Sequence, residues 1–265
     1  LQVVAKKKFG QNFLKDEYYL NQIIQSMPEN DNMVVEVGPG LGDLTGKLLT
    51  KKAVVAVEVD TDLISNLESK FKDQIKNGKF RLLHADILSV WDEAISFAPK
   101  VDIVANLPYY IATNIVLRAI KDERIENIVV MVQKEVADKF CATPKSSDFG
   151  AISVICDAMC QRGIVCELPP SAFEPAPKVF SSVLNLSKRK KPLIEKALYS
   201  DFESFLKSSF LAPRKMLFKN LSNAYKKELL SAAFEKLELS LNIRPHELST
   251  ELFVKLFTEI NHSNS

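Results

Sequence analysis

Up to about residue 135, apolar positions come in short runs that end in polar or glycine residues. Stretches with helical spacing separate them. Met33–Val37, Ala53–Val59, Phe80–His84, Val101–Ala105 and Ile125–Val132 read as strands. The near-continuous apolar character of Ala53–Val59 suits a central parallel strand covered on both faces. Helices are predicted from Asp16 to Met27, Asp43 to Leu49, Thr61 to Phe71 and Ile111 to Ile120, with another starting near Lys134. This alternation predicts a doubly wound, Rossmann-like α/β sheet with right-handed crossovers.

The pattern then changes. Ser153–Met159 reads as a helix, and Gln161–Glu167 and Val179–Ser187 as strands. Between those strands, Pro169, Pro170, Pro175 and Pro177 make a stiff connection that cannot be helical. Lys188–Pro192 reads as a linker. From Leu193 to Ile260 there is no glycine, and apolar residues recur at spacings of three and four. Phe202, Phe205, Leu206, Ser209 and Phe210 share one helix face. Two domains are expected: residues 1–187 as the α/β domain, and residues 188–265 as a linker with a small all-helical domain.

In sheets of this kind ligands bind beyond the carboxyl ends of the strands. The polar residues sit there: Glu36 and Gly38 after the first strand, Glu58 after the second, Asp86 after the third and Asn106 after the fourth. Three of the eight glycines, Gly38, Gly40 and Gly42, fall within five residues. Their G-x-G-x-G spacing departs from the G-x-G-x-x-G of dinucleotide sites. Glu58 at the end of the second strand can accept from both hydroxyls of a ribose, a geometry common to NAD and S-adenosylmethionine sites. Asp86 suits either an adenine amino group or the N-cap of a helix from Ile87.

Asn106-Leu107-Pro108-Tyr109 carries more specific chemistry. The lone pair of an adenine amino group is delocalised into the ring, so the nitrogen is a poor nucleophile. A side-chain amide oxygen and a stiff backbone carbonyl, accepting from its two N–H bonds, would orient that lone pair and stabilise developing charge. Tyr109 offers a face on which a base can stack. A plain turn is the competing reading of the same four residues.

Composition changes the picture little: 46% hydrophobic and 26% charged residues are ordinary for a globular protein. No apolar stretch reaches the length of a membrane span, and the first residues lack the apolar core of a signal peptide. Cys141, Cys156, Cys160 and Cys166 form no C-x-x-C pair, and His84, His246 and His262 lie far apart. Reduced thiols in a cytoplasmic protein, and no metal site, are expected. Charge is uneven. Residues 1–187 hold 21 Lys/Arg against 24 Asp/Glu, and residues 188–265 hold 14 against 9. Lys6, Lys7 and Lys8 add a basic tip. Such clustering suits either a polyanion or a solvated face.

Glu36–Gly42 resembles motif I of the class I S-adenosylmethionine-dependent methyltransferases. Together with Phe9-Gly-Gln-Asn-Phe-Leu14, Asn106-Leu-Pro-Tyr109 and Phe173-x-Pro-x-Pro-x-Val179, in this order, it resembles the ribosomal RNA adenine N6-dimethyltransferases of the bacterial KsgA type. The resemblance spans Lys6 to Leu186. It implies dimethylation of two neighbouring adenosines in a hairpin loop near the 3′ end of small-subunit (16S) rRNA, and a role in small-subunit biogenesis. The implied partner is an immature small ribosomal subunit, and a monomer is expected. The implied cofactor is S-adenosylmethionine, with contacts from Asn12, Leu14, Gly38, Gly40, Glu58, Asp86 and Asn106. Asn106, Leu107, Pro108 and Tyr109 become the target-adenine site, with Phe173 against the other face of the base. Lys6, Lys7, Lys8, Lys188, Arg189, Lys190, Lys191, Arg214, Lys215 and Lys219 are candidate phosphate contacts. Tyr110 and Phe180 depart from the family pattern, where many members have Asn and Asp. A resistance-type methyltransferase of large-subunit rRNA, and an assembly factor with secondary catalysis, are the competing readings.

Overall fold

The computed structural model describes residues 11–262. Lys6, Lys7, Lys8 and Phe9 lie outside them. The elements in chain order are β1 (Phe13–Leu14), α1 (Glu17–Gln25), β2 (Met33–Val37), α2 (Asp43–Lys51), β3 (Val54–Glu58), α3 (Thr61–Lys70), α4 (Lys72–Lys76), β4 (Phe80–His84), α5 (Trp91–Ala94), β5 (Val101–Asn106), α6 (Ala112–Lys121), β6 (Ile125–Gln133), α7 (Lys134–Cys141), α8 (Ala151–Met159), β7 (Cys160–Leu168), β8 (Phe173–Glu174), β9 (Ser181–Lys188), α9 (Tyr199–Ser209), α10 (Leu217–Leu221), α11 (Lys227–Lys236) and α12 (Thr250–His262).

Seven strands form one sheet in the order β4-β3-β2-β5-β6-β9-β7. The first five are parallel, and β9 runs antiparallel to β6. The sheet is therefore mixed. The predicted doubly wound parallel arrangement covers β2 to β6, and the β9 edge follows the proline-rich connection. β2 lies between β3 and β5, so the chain order reverses beside it, and a crevice opens at the carboxyl ends of the strands. Val34, Val35, Val37 and Val54–Val57 are buried, as expected for strands covered on both faces.

The strands are tied at their other end by a buried polar cluster. Asp102 is fully buried, accepts from Asn32 at 3.1 Å and Asn127 at 2.8 Å, and pairs with Lys52 at 3.3 Å. Burial makes this arrangement necessary, since an unpaired charge there would be costly.

Contacts divide the chain into two compact units. The first runs up to Ala137 and resumes over Gly163–Ser187. The second joins Asp138–Arg162 to the chain from Lys188 onward. The single cut expected between residues 187 and 188 is joined by two more, because 138–162 fall in the second unit. The reason is the apolar helix α8, whose Val154, Ile155, Cys156 and Ala158 are buried and which packs on α9 and α12. In the same unit Arg162 donates to the carbonyls of Phe140 and Ala142 at 2.8 and 2.7 Å, closing the end of α7. On α9, Phe202, Phe205, Leu206 and Ser209 are buried together, as their spacing predicts. Lys188 belongs to β9 and not to a linker.

Candidate functional site

A cleft opens at the carboxyl ends of the parallel strands of the first unit, with about 1000 Å³ of empty space counting its mouth. Its lining includes Asn12, Leu14, Glu36, Gly38, Gly40, Glu58, Asp86, Asn106, Leu107, Pro108 and Tyr109. Residues from four strand ends and from the N-terminal segment thus meet in one place.

The turn after β2 is built on glycine. Gly38, Gly40 and Gly42 all have positive φ, 67°, 58° and 76°, where side chains are strained. At Gly40 space is also short, because a Cβ would lie 2.9 Å from the Phe13 ring. This contact lets the segment around β1 lie over the turn.

Glu58 is 4% exposed. Its Oε1 accepts from the Val59 and Asp60 amides, both at 2.9 Å, and its Oε2 accepts from the Gly40 amide at 3.3 Å. Burial raises its pKa, and these three bonds oppose the rise. The carboxylate is thereby aimed from β3 toward the glycine turn. Glu36 is fully enclosed, and burial pushes its pKa up to about 8 against the lowering effect of a hydrogen bond from Thr45. Asp86 accepts from the Leu88 amide at 2.8 Å, so it caps the following turn while lining the cleft. The capped segment is a turn, residues 87–89, and not the helix expected from Ile87.

Asn106 closes β5, and its Nδ2 donates to the Asn12 carbonyl at 2.9 Å. That bond fixes which way the amide faces, with Oδ1 as its acceptor. Leu107 is buried, with its amide on the Met131 carbonyl at 3.1 Å. Tyr109 is half-buried, its hydroxyl 2.7 Å from Ser181 Oγ. The lining offers carboxylates that can accept from ribose hydroxyls and amino groups, with apolar walls from Val57, Ile87 and Leu107. These residues fit a nucleoside joined to an amino acid. Three or more His, Cys, Asp or Glu grouped to hold a metal do not occur among the described residues.

Other expected residues lie elsewhere. Phe173 is 5% exposed, pairs with Leu14 across the β1–β8 ladder, and packs into the hydrophobic core and not on the cleft wall. Its ladder partner Leu14 belongs to the same core cluster and also lines the cleft. Tyr110 lines the cleft and is 62% exposed, and its hydroxyl lies within electrostatic reach of Asp86 and Glu58. Phe180 is 51% exposed.

Among the basic candidates of the second unit, Lys190, Lys191, Arg214, Lys215 and Lys219 are exposed. Arg189 is engaged within its own unit, donating to the Asp157 carbonyl at 2.9 Å and to its carboxylate at 3.3 Å. Gln11 and Ser181 were not assigned site roles from sequence. Gln11 donates to Asp60 at 2.9 Å and lines the cleft, and no local pattern in the sequence marks either residue for such a role.

A family model described as ribosomal RNA adenine dimethylase matches residues 3–262. Over 265 residues, covering 99% of this chain and 98% of the relative, the sequence is 46% identical to a ribosomal RNA small subunit methyltransferase A from Aliarcobacter butzleri. A protein of the same name from Sulfurimonas denitrificans is 50% identical over 255 residues, covering 96% of this chain and 93% of its own. The fold is that of class I methyltransferases. A dimethyladenosine transferase from Plasmodium falciparum superposes with a TM-score of 0.81 at 24% identity, covering 95% of this chain and 98% of that one. The 23S rRNA methyltransferase ErmE superposes with a TM-score of 0.71, also at 24% identity, over 94% and 100%. With its glycine turn, its strand-end carboxylates and its Asn-Leu-Pro-Tyr segment in one cleft, the chain belongs to the ribosomal RNA adenine dimethylase family.

Proposed function

We propose that this protein is an S-adenosylmethionine-dependent enzyme that dimethylates N6 of two adjacent adenosines in a hairpin loop of small-subunit rRNA. The observation that carries this reading is the position of Asn106, at the end of β5 in the same cleft as Glu58 and Asp86, with its amide turned by the Asn12 carbonyl. When bound, S-adenosylmethionine supplies an electrophilic methyl group.

The chain's own residues do the rest. Glu58 holds the ribose hydroxyls, and Asp86 holds the adenine amino group of the cofactor. Asn106 Oδ1 and the backbone carbonyl of Leu107 or Pro108 accept from the amino group of the target adenine. This turns its nitrogen lone pair out of conjugation and toward the methyl donor. Tyr109 gives the flipped base a surface, and an unpaired loop makes flipping inexpensive. With the electron pair of the broken sulfur–methyl bond left on the cofactor's sulfur, the methylated N6 would lose its proton to water, so attack would need no general base.

The exposed lysines and arginines of the second unit supply phosphate contacts on this reading, and an assembling small subunit in the cytoplasm is the substrate of a monomeric enzyme. Among the described residues no helix is long and apolar enough to cross a membrane.

The test is methylation of small subunits from cells lacking the modification, with labelled cofactor and mass analysis of the nucleosides. N6,N6-dimethyladenosine in small-subunit RNA is the expected product. Asn106→Ala is expected to abolish turnover while weakening cofactor binding less. Label confined to large-subunit RNA, or near-normal turnover by Asn106→Ala, would overturn the reading.

A further inference from the structure

We propose that Ser181 is a positioning residue for methyl transfer, its hydroxyl holding the Tyr109 phenol so that the ring presents a fixed face to the target adenine. This rests on the functional reading above.

Tyr109 stands on the turn between β5 and α6. The backbone around it is anchored, with the Leu107 amide on Met131 at 3.1 Å and the Ile111 amide on Pro108 at 3.2 Å. Those bonds hold the backbone and not the ring's own side-chain torsions. The tip of the ring is tied by the 2.7 Å hydrogen bond between Tyr109 Oη and Ser181 Oγ.

Ser181 is well placed to hold it. It is 0% exposed and opens β9. It pairs with Gln133 at the end of β6, and the preceding carbonyl, that of Phe180, accepts from the Lys134 amide at 3.0 Å. The hydroxyl therefore projects from a rigid sheet position and not from a loop. Burial pushes the Tyr109 pKa up, so the phenol stays neutral, and either hydroxyl can donate in this bond. One hydroxyl pair thus links the Asn106–Tyr109 segment to β9, far away in sequence. A base stacked on a ring free to swing would leave the attacking nitrogen misplaced, and misplacement of about 1 Å costs rate strongly.

The experiment compares wild type, Ser181→Ala, Tyr109→Phe and the double variant on immature small subunits. It records kcat, the KM of the cofactor, cofactor binding by calorimetry and the melting temperature. Each single variant is expected to lower kcat by roughly five- to tenfold, the scale of one hydrogen bond, with cofactor KM and binding little changed. Because both substitutions remove the same bond, the double variant is expected to be no slower than the slower single.

Three results would overturn the proposal. One is wild-type kcat in Ser181→Ala. Another is a double variant whose loss is the product of the two singles. The third is a Ser181→Ala defect confined to melting temperature and cofactor affinity, which a merely structural role would give. Tyr109→Phe probes the bond from its other end should Ser181→Ala fold poorly. Without wild-type methylation the functional reading fails, and the proposal falls with it; with wild-type methylation the variants decide Ser181 alone.

Discussion

The Thr45 hydroxyl donates to Glu36 Oε2 at 2.7 Å, joining β2 to α2 beneath the glycine turn. Both side chains are buried, Glu36 at 1% exposure and Thr45 at 0%. Loss of water, with the charge of Glu58 nearby, outweighs that bond and holds the Glu36 pKa at about 8, against 4.5 for a free carboxyl. The native chain therefore keeps a proton that the unfolded chain releases. The unfolded state binds fewer protons in this window, so stability falls as pH rises from 4.5 toward 8. The total is on the order of 4 kcal/mol. Glu36→Gln keeps the shape and removes the titration. Urea unfolding between pH 5 and 8 should show a decline in wild type and a much flatter profile in the variant. Parallel profiles would assign the decline to other groups.

A second prediction separates backbone strain from crowding. Gly42 and Gly78 have nearly the same φ, 76° and 75°. A Cβ at Gly42 would lie 2.6 Å from the Phe71 ring and 3.0 Å from Leu67, whereas one at Gly78 would meet nothing within 4 Å. Gly78→Ala meets left-handed strain alone, about 1–2 kcal/mol. Gly42→Ala adds overpacking, typically about 1–3 kcal/mol more. Chemical unfolding of both variants should show this ordering, and equal losses would mean that the Phe71 ring moves aside freely.

Much of this site was legible before the fold was known, for a physical reason. In a parallel sheet every strand ends at the same edge, so Glu36, Glu58, Asp86 and Asn106, each at a strand end, had to converge, and all four line the cleft. What escaped reading depends on longer-range geometry. The β1–β8 ladder has two residues a side, too few to leave a periodic signal, yet it sets Phe173 beside Leu14 at the edge of the cleft. The union of 138–162 with the C-terminal helices comes from the buried face of α8, and a helix pattern does not say which partner it meets. Arg189 resembles its basic neighbours in sequence, and its contacts with Asp157 come from the fold.

The buried cluster at the opposite end of the sheet gives a third prediction. Lys52 is 9% exposed at its side chain, and Asp102 is 0%. Lys52→Met removes the cation and leaves the carboxylate buried, which costs about 3–5 kcal/mol when a buried pair is broken from one side. Replacing Asp102 by Asn in the same chain should recover part of that loss, because no uncompensated charge remains. Cofactor affinity at a temperature where both variants are folded should match wild type, since the cluster lies at the far strand ends. A double variant as unstable as Lys52→Met would show that packing, not charge, sets the loss.

The last prediction concerns which basic residues meet RNA. Arg214 and Lys215 are exposed, whereas Arg189 is held by the carbonyl and carboxylate of Asp157. A side chain already satisfied within its unit has little to gain from a phosphate, while exposed ones release counterions on binding. Replacing Arg214 and Lys215 together by Ala should weaken binding to small-subunit RNA and reduce the salt dependence. The slope of log K against log salt should fall by about 0.7–0.9 for each contact removed. Cofactor affinity should not change. Arg189→Ala should leave the slope as it is and lower the melting temperature instead. Filter binding across a salt series checks both. An unchanged slope in the Arg214/Lys215 variant would remove that loop from the RNA interface, and a reduced slope in Arg189→Ala would mean that Asp157 gives up its partner when RNA arrives.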